Sequence, residues 1–401
     1  MRILITNHTL ANRAGSELYV RDLAIGLLDR GHEPIAYSTS LGEVAREIRA
    51  AGIQVTDDLN TLVNQPDIIH GHHHLDTMTA LLRLPATPAI FVCHGSTPWE
   101  EGAPLFPRIL RYVAVDHACR DRLILEHAIP ADQIRVILNF VDLKRFKPRT
   151  VLPAHPRRAL IFSNQANDQT HVPAVRTACE RAGIAFDIVG LGAGKGCAEP
   201  EGVLGNYDIV FAKGRAAIEA LAVGAAVVLC DAAGAGPMVT TGNVHQLRPL
   251  NFGIRSLREP LTADVIAREL GRYDPDDAMA VSDVIRATAG RDSVIDELLC
   301  LYHEVINEHS RIPEHDRLAE QRAAGVYLLD LRPRLYERDQ VVQRLAATET
   351  KRDQAVQKLA ATETELEVTR AQLEMIRNSR SWRLVNRYAA IKHKIGLGAS
   401  D

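Results

Sequence analysis

Cysteine is scarce in this 401-residue chain and is spread without a pattern. Its six cysteines stand at positions 93, 119, 179, 197, 230 and 300, and none forms a Cys-x-x-Cys pair. Most lie within apolar runs, which predicts buried thiols in a reducing compartment. The spacing therefore excludes a disulfide framework and a cysteine zinc site.

The chain also lacks long apolar runs and a strong net charge. No window approaches about 18 consecutive apolar residues, the length that spans a bilayer. The opening residues MRILITN lack the order of a signal peptide and instead predict a first strand. A net charge of only −3 argues against a general nucleic-acid binder, which needs many phosphate contacts. We expect a cytoplasmic globular protein with room for two domains and an extension.

Two common glycine signatures of nucleotide binding are absent. The dinucleotide fingerprint Gly-x-Gly-x-x-Gly does not follow the first predicted strand, where the loop carries Gly15 instead, and this weakens an NAD-binding interpretation. The segment GLGAGKG around Lys195 fails the Walker spacing, because Gly196 stands where Ser or Thr is required. A loop that faces phosphate remains a hypothesis for this segment.

Short apolar runs alternate with helical patterns over most of the chain, as is typical of parallel sheets covered by helices. After the last of the buried strands, the segment DAAGAG from Asp231 is predicted to be a loop. Strands are predicted at Ile3–Thr6, Ile35–Tyr37, Asp67–His70, Ala89–Cys93, Tyr112–Val115, Ile134–Leu138, Ala159–Phe162, Phe186–Val189, Ile209–Phe211, Ala226–Cys230 and Val244–Leu247.

An acidic residue, Glu219, interrupts one of these apolar patterns. The segment Asp208–Cys230 predicts a strand, a loop with Gly214, a helix and a second strand, and Glu219 lies among Ala, Ile, Leu and Val of the helix. Burial of an unpaired carboxylate costs several kcal/mol. Glu219 is therefore predicted to meet a partner or a ligand, and a surface position on the helix is the alternative.

This segment resembles the glutamate motif of family 4 glycosyltransferases, in which two Glu separated by seven residues lead into an Ala-rich helix. Asn139–Asp142 with Phe146 is similar to the family's Asn-Gly-Val-Asp-x-x-x-Phe junction, and the loop at Gly15 is similar to its Gly-Gly-x-Glu opening. The resemblance covers roughly residues 1–310 and implies an α/β GT-B fold, with two doubly wound Rossmann-like domains facing a cleft. We expect an acceptor domain at 1–150, a donor domain at 151–310 and a helical extension at 311–395.

The resemblance also implies roles for single residues. The loop at Gly15 would hold the donor's diphosphate, His94 would lie beside the reacting sugar, and Glu219 would hold the ribose. Transfer would proceed with retention and without a metal or a cofactor. The predicted donor-binding residues are Gly15, Ser16, Asn164, Lys195, Gly214 and Glu219.

The chain departs from the family pattern in two places. Phe211 replaces the first Glu of the motif, and the loop after the strand Ala159–Phe162 lacks the Arg and Lys that neutralise the leaving diphosphate. Without such donors the barrier should rise by several kcal/mol. Lys195, Lys213 and Arg215 are candidate substitutes, and Lys213 and Arg215 join His94 as predicted catalytic residues.

Four histidines, His70, His72, His73 and His74, raise a metal hypothesis, because imidazole is a common metal ligand. Adjacent residues of a loop rarely point at one ion, so a rim along the cleft is favoured, with simple solvation as a further alternative.

The tail has a different composition. Residues 341–376 contain no Gly or Pro and repeat LAATET after 14 residues, with Leu345, Leu359, Leu366 and Leu373 on a seven-residue period. This pattern predicts a two-stranded coiled coil and hence a homo-oligomer, with a solvated single helix as the alternative. The end, RNSRSWRLVNRYAAIKHKIG, is basic and amphipathic and resembles Ser-x-Ser-Trp-Arg tails of bacterial cell-envelope glycosyltransferases. A peripheral contact with the inner face of the membrane is predicted, with an ordinary surface helix as the alternative.

The function implied is transfer of a sugar from a nucleotide sugar to a glycan or lipid-linked acceptor in cell-surface polysaccharide synthesis. Two alternatives stay open, a scaffold that has lost activity and a sugar-nucleotide epimerase of the same fold.

Overall fold

A computed structural model describes residues 1–312 and 317–394. The chain divides into two compact units, Met1–Ala324 and Gly325–Asp401. The first unit contains two separate β-sheets, of seven and five strands, and the second contains helix alone among its described residues. Any ligand site that needs a sheet edge must therefore lie in the first unit.

The seven-stranded sheet is parallel throughout and has the strand order β3-β2-β1-β4-β5-β6-β7. Its central strands are buried on both faces, which explains why they consist of uninterrupted apolar runs. Its elements are β1 (Arg2–Thr6), α1 (Gly15–Leu28), β2 (Glu33–Tyr37), α2 (Glu43–Ala50), β3 (Gln54–Thr56), β4 (Ile68–His72), α3 (His74–Arg83), β5 (Ala89–Cys93), β6 (Ile109–Ala114), α4 (His117–Leu125) and β7 (Ile134–Val136).

The five-stranded sheet has the order β12-β11-β10-β8-β9, and only β12 is antiparallel to its neighbour. Its core extends on both faces of the sheet, and Phe211 lies fully buried within it. Its elements are β8 (Arg158–Phe162), α5 (Val172–Ala182), β9 (Ala185–Val189), β10 (Ile209–Ala212), α6 (Gly214–Ala222), β11 (Ala226–Asp231), β12 (Gly234–Met238), α7 (Val244–Leu247), α8 (Ala263–Leu270), α9 (Pro275–Thr288) and α10 (Arg291–Ser310).

Two local predictions after β11 are wrong. Val244–Leu247 is a helix rather than a strand, because its two apolar residues are three positions apart and both are buried, while His245 and Gln246 between them are exposed. The predicted loop after Asp231 turns back at once into β12. Gly234 permits this turn with a φ of 150°, and Ala235 then exchanges two backbone hydrogen bonds with Glu259 at 3.0 and 2.9 Å.

Helix α10 returns to the first sheet and packs against α1, β5 and β6. Its Tyr302 is fully buried, and the phenol oxygen lies 2.5 Å from Nδ1 of His70 in β4. At its start, the buried Arg291 forms ion pairs with Asp142 at 2.9 Å and with Asp29 at 3.2 Å. These contacts join α10, which follows the five-stranded sheet in the chain, to the half of the unit that contains the seven-stranded sheet.

The helical extension consists of α11 (Arg317–Asn378) and α12 (Arg380–Lys394). None of their residues is buried, although α11 carries a row of leucines. Within the part of the chain that the structure describes, no helix is long and apolar enough to cross a bilayer.

Candidate functional site

A cavity of about 610 Å³ opens where the carboxyl ends of strands from both sheets meet. The carboxyl edge of a parallel sheet is where open α/β folds bind their ligands. The first sheet contributes the loop after β1, and the second contributes the loops after β8, β9, β10 and β11. The wall includes Asn12, Arg13, Ala14, Gly15, Asn164, Gln165, Gly190, Gly196, Lys213, Gly214, Arg215, Glu219 and Asp231.

Two helices begin in the cavity wall, one from each half of the unit. Helix α1 starts at Gly15 and α6 starts at Gly214, and neither Ala14 nor Lys213 before them provides a side-chain cap. The first N–H groups of a helix have no partner within the helix, and the helix dipole adds a partial positive charge there. Both helix starts are therefore suited to an anionic group such as phosphate.

Arg215 lies between two carboxylates from different halves of the unit. Its Nε donates to Oε1 of Glu219 one turn along α6, at 2.7 Å, and its Nη2 pairs with Asp22 of α1. The side chains of Asp22 and Glu219 are only 2% and 6% exposed. The prediction that Glu219 must meet a partner is confirmed, and that partner is Arg215.

The two carboxylates respond differently to this shared arginine. Burial raises the pKa of Glu219, and the positive charge of Arg215 offsets only part of that effect. Burial would also raise the pKa of Asp22, but Arg215 and Arg21 together hold it below the ordinary value. Asp22 is paired more strongly because Arg21 binds it as well, at 2.7 Å.

The lysine of the site is also paired. Lys213 forms an ion pair with Asp231, whose side chain is buried at the end of β11. Lys213 and Arg215, the candidate substitutes for the family's Arg and Lys, thus each have a carboxylate partner. The side chains of the wall are balanced in charge, with Arg13, Lys213 and Arg215 facing Glu43, Glu219 and Asp231.

The other predicted donor-binding residues lie in or next to the wall. Asn164 is part of the wall and holds it together, because its Oδ1 accepts from the Leu191 N–H at 3.2 Å and its Nδ2 donates to the Arg13 carbonyl at 3.3 Å. Ser16 follows Gly15 and donates to Glu17 at 2.9 Å. Lys195 is exposed and precedes Gly196 of the wall.

His94 and the four neighbouring histidines lie beyond the cavity wall. The His94 ring stacks on His72 with centroids 4.7 Å apart, and its Nε2 lies 2.6 Å from Nδ1 of His72. His70 and His72 are fully buried in β4, so the predicted rim of histidines is wrong. Burial lowers the pKa of His70 to about 3 and that of His94 to about 4, which keeps both rings neutral near pH 7.

No group of three or more His, Cys, Asp or Glu side chains within 1–312 and 317–394 is arranged to hold a metal ion. Phe211, at the position of the family's first Glu, points into the sheet core. The loop between β10 and α6 consists of Lys213 alone, so position 211 lies within the strand rather than at the cavity.

Sequence analysis missed Asp22, Arg21 and Glu47. Arg21 pairs with Glu47 of α2 at 2.7 Å and so extends the charged cluster behind the cavity wall. Asp22 carries the same signal that marked Glu219, an acid among the apolar residues Leu18, Leu23 and Leu27 of a buried helix.

We expect Asp22→Asn to lower the free energy of unfolding by about 3 kcal/mol at pH 7, because Arg215 loses one of two buried carboxylates. The pKa of Asp22 in the folded protein lies below the ordinary 3.8. Its stabilisation is therefore present above pH 3.8 and lost as the pH falls through the folded value. Urea titrations of the wild type and the variant between pH 7 and pH 3 measure this difference.

Asp168→Asn is the matched control, because Asp168 pairs with Arg176 on the exposed surface at 3.1 Å. Loss of that pair should cost less than about 1 kcal/mol. Equal unfolding midpoints for the wild type and Asp22→Asn at pH 7 would contradict the importance of the cluster.

The comparisons with known proteins agree with this architecture. A sequence model of Glycosyltransferase Family 4 matches residues 13–145, and no curated protein matches the chain. A glycosyltransferase from Rickettsia africae is 16% identical with a TM-score of 0.56, over 76% of this chain and 98% of that one. HepE from Anabaena, solved with UDP and glucose, is 13% identical with a TM-score of 0.54, over 76% of this chain and 100% of that one.

Sucrose-phosphate synthase from Thermosynechococcus elongatus is 13% identical with a TM-score of 0.50, over 77% of this chain and 99% of its own. The predicted resemblance to family 4 glycosyltransferases is thus confirmed over residues 13–145, and the two-sheet part of the chain has the predicted GT-B fold.

Proposed function

We propose that this chain transfers a sugar from a nucleoside diphosphate sugar to a glycan or lipid-linked acceptor in cell-surface polysaccharide synthesis. The proposal rests on one observation: the starts of two helices without side-chain caps and the carboxylate of Glu219 line the same cavity. Retention at the anomeric carbon, independence of a metal and the polysaccharide role rest on the family resemblance. The structurally similar HepE was solved with UDP and glucose, so UDP is the first nucleotide to test.

The diphosphate of the donor would lie between the starts of α1 and α6, at the backbone N–H of Gly15 and the N–H groups that follow Gly214. The N–H of Gly214 itself donates to the Phe252 carbonyl at 2.9 Å. Ser16 belongs to the same first turn, and Asn164 faces it from the second sheet. The backbone donors are fixed by the helices, so binding does not require them to reorganise.

Glu219 would hold the ribose. Arg215 occupies its Oε1, and among the residues that the structure describes its Oε2 has no hydrogen-bond donor. That oxygen can accept a hydroxyl hydrogen from a sugar. Arg215 would then act mainly by orienting Glu219, because its guanidinium is already divided between two carboxylates.

Lys213 is the cation best placed to follow the leaving diphosphate. Its side chain is 33% exposed and it is in the cavity wall, whereas its partner Asp231 is 1% exposed. A dianionic leaving group can attract the ammonium away from a single carboxylate. Lys195 on the neighbouring loop would add a second charge, and His94 would support the sugar end from behind.

We expect one of UDP, GDP and ADP to bind in calorimetric titrations. Lys213→Gln should weaken that binding about tenfold, since a charge-assisted contact of about 1.4 kcal/mol is lost. Glu219→Ala should abolish detectable binding, because the ribose hydroxyls lose their acceptor. Lys147→Gln removes an exposed lysine outside the cavity wall and should bind the nucleotide as the wild type does.

The outcomes separate the alternatives. Absence of binding for all three nucleotides contradicts the enzyme and supports a scaffold. With the nucleotide known, NMR of the product sugar reports the anomeric configuration, and donor that isomerises without any acceptor identifies an epimerase.

Helix α11 would pair with a second copy of itself. Leu345, Leu359, Leu366 and Leu373 are each more than half exposed, and their seven-residue period places them on one side of the helix. Burial of such a row in a dimer removes apolar surface from water.

We expect light scattering to give the mass of a dimer for the full chain. Leu359→Lys with Leu366→Lys should give a monomer, because two charges enter the seam. Gln357→Lys with Thr364→Lys places the same charges outside the seam and should leave the dimer. A monomeric wild type would contradict the coiled coil.

Helix α12 would bind an anionic membrane at the cytoplasmic face. At about 100° per residue, Leu384, Val385, Tyr388 and Ile391 fall within an arc of about 120°, and all are exposed. Four of its basic residues, Arg380, Arg383, Arg387 and Lys394, fall on the adjacent arc, whereas Lys392 falls within the apolar arc. A helix of this kind lies in the interface with its apolar side in the lipid.

We expect the full chain to sediment with phosphatidylglycerol vesicles and much less with phosphatidylcholine vesicles. Arg383→Gln with Arg387→Gln should weaken binding roughly thirtyfold, at about 1 kcal/mol for each basic residue near the surface. Arg338→Gln with Arg344→Gln in α11 is the control and should bind nearly as the wild type does. Equal binding to both vesicle types would contradict the contact.

A further inference from the structure

A second cavity, which we call the β12 cavity, opens beside the edge strand β12 and has a volume of about 530 Å³. Its apolar wall residues include Pro237 of β12, Leu247 of α7 and Leu250. Among the residues that the structure describes, none lines both this cavity and the one that contains Glu219. The β12 cavity is therefore a separate site, and its size is typical of sites for small molecules.

Positive charge predominates in the wall of the β12 cavity. Four arginines and two glutamates line it, which leaves a formal excess of two positive charges: Arg255, Arg258, Arg268, Arg272, Glu259 and Glu269. The first cavity differs, because its three cations meet three carboxylates. An anion that enters the β12 cavity therefore compensates charge, whereas a cation would add to the excess.

Both glutamates are already paired with arginine. Arg268 contacts Glu259 at 3.4 Å and Glu269 at 3.0 Å, and Arg272 contacts Glu269 at 3.4 Å. Glu269 is buried, and its Oε2 also accepts the Met238 N–H of β12 at 3.0 Å. These pairs hold two of the four arginines at the cavity and leave the charges of the other two uncompensated within its wall.

Arg258 is the cation of this wall that is most open to a ligand. Its Nε donates to the Arg255 carbonyl at 3.2 Å, and within the described ranges its guanidinium has no carboxylate partner. Arg255 pairs with Asp121 of α4, outside the β12 cavity, and the two side chains are 44% and 39% exposed. An exposed pair of this kind contributes little free energy, so an anion can compete with Asp121 for Arg255.

A buried hydroxyl between these two arginines in the chain has no partner. Ser256 lines the β12 cavity and is 3% exposed, and no described residue forms a hydrogen bond with its Oγ. Its backbone is held closely, because its N–H donates to the Gly253 carbonyl at 2.9 Å and a Cβ at Gly236 would lie 2.5 Å from its carbonyl oxygen. A buried polar group without a partner is costly and uncommon, and an oxygen of a ligand would satisfy it.

These features favour a phosphate group as the ligand. A phosphate monoester carries about two negative charges near pH 7, which matches the excess in the wall, whereas a single carboxylate would leave one positive charge over. Guanidinium groups bind phosphate through two parallel N–H donors, and a serine hydroxyl can donate a further hydrogen bond. Pro237, Leu247 and Leu250 offer an apolar surface to the organic part of an ester.

We propose that the β12 cavity binds the phosphate group of a small molecule, with Arg258 and Ser256 as donors and Arg255 as a cation drawn from Asp121. This site does not depend on the proposed transferase function. It lies next to the first cavity in the chain, because Gly253 and Ile254 belong to the wall of that cavity and Arg255 begins the wall of this one.

Calorimetric titration of the full chain with glucose 1-phosphate, inorganic phosphate and glucose at physiological salt and pH 7.5 tests this site. We expect saturable binding of a phosphate compound and none of glucose, and the tighter of the two compounds identifies an ester or free phosphate as the source. Arg258→Gln should weaken binding about tenfold and Ser256→Ala about fivefold, because a charge-assisted and a weaker hydrogen bond are lost. Arg46→Gln, at an exposed arginine of α2 outside both cavities, is the matched control and should bind as the wild type does.

Two further measurements separate binding from damage to the fold. The affinity should fall as the pH is lowered from 7.5 to 5.5, because the phosphate takes up a proton and loses charge. Ser256→Ala should leave the unfolding midpoint unchanged or raise it, because the substitution removes an unpaired buried hydroxyl. Its weaker binding would then report the lost donor.

The variants also show which cavity the phosphate occupies. Binding that is weakened in Arg258→Gln and retained in Lys213→Gln supports the β12 cavity, even if the chain binds no nucleotide. Binding that is lost in Lys213→Gln and unchanged in Arg258→Gln places the phosphate in the first cavity and overturns the proposal. Absence of binding for both phosphate compounds overturns it as well, whatever the nucleotide titrations give.

Discussion

The structure depends on one largely enclosed guanidinium, which joins two buried carboxylates. Arg215 of α6 is held between Glu219 on its own helix and Asp22 on α1, which belongs to the other sheet. A buried charge is tolerated only when its partners are placed well, and the planar fork of arginine limits where two carboxylates can stand. The spacing of the two sheets and the orientation of Glu219 therefore follow from the same ion cluster. A shift of one half relative to the other would also disturb the acid proposed to hold the ribose.

This cluster explains why the proposed anion site relies on backbone N–H groups. The side-chain charges of the cavity wall cancel and are largely paired with one another. The N–H groups in the first turns of α1 and α6 have no side-chain partner, because neither helix has a side-chain cap, and of these groups the N–H of Gly214 donates to the Phe252 carbonyl. If the proposed diphosphate site is correct, the fixed dipoles of the two helices would replace part of the charge of the Arg and Lys that the loop after β8 lacks.

The sequence predicted the strands well because most are buried on both faces. The predicted Ala89–Cys93 coincides with β5, and Ile209–Phe211 falls within β10. The cavity residues Gly15, Lys213, Gly214, Arg215 and Glu219 were also found, since glycine and charge stand out against apolar runs.

The sequence did not predict which charged side chains pair with one another. Asp22 and Arg215 are 193 residues apart, and no local pattern indicates that they meet. The burial of His70 has the same origin, because Tyr302 of α10, 232 residues away in the chain, lies against it and provides its polar partner. Local periodicity specifies elements, whereas the state of a charged side chain depends on contacts from elsewhere in the chain.

The edge strand β12 affects whether a strand of another chain can add to the five-stranded sheet. Open sheet edges attract further strands and promote aggregation. Ala235 directs its backbone donor and acceptor to Glu259, and Pro237 two residues later has no N–H at all. An approaching strand finds no regular row of donors there, so this edge is protected against cross-chain sheet growth without any charged residue in the strand.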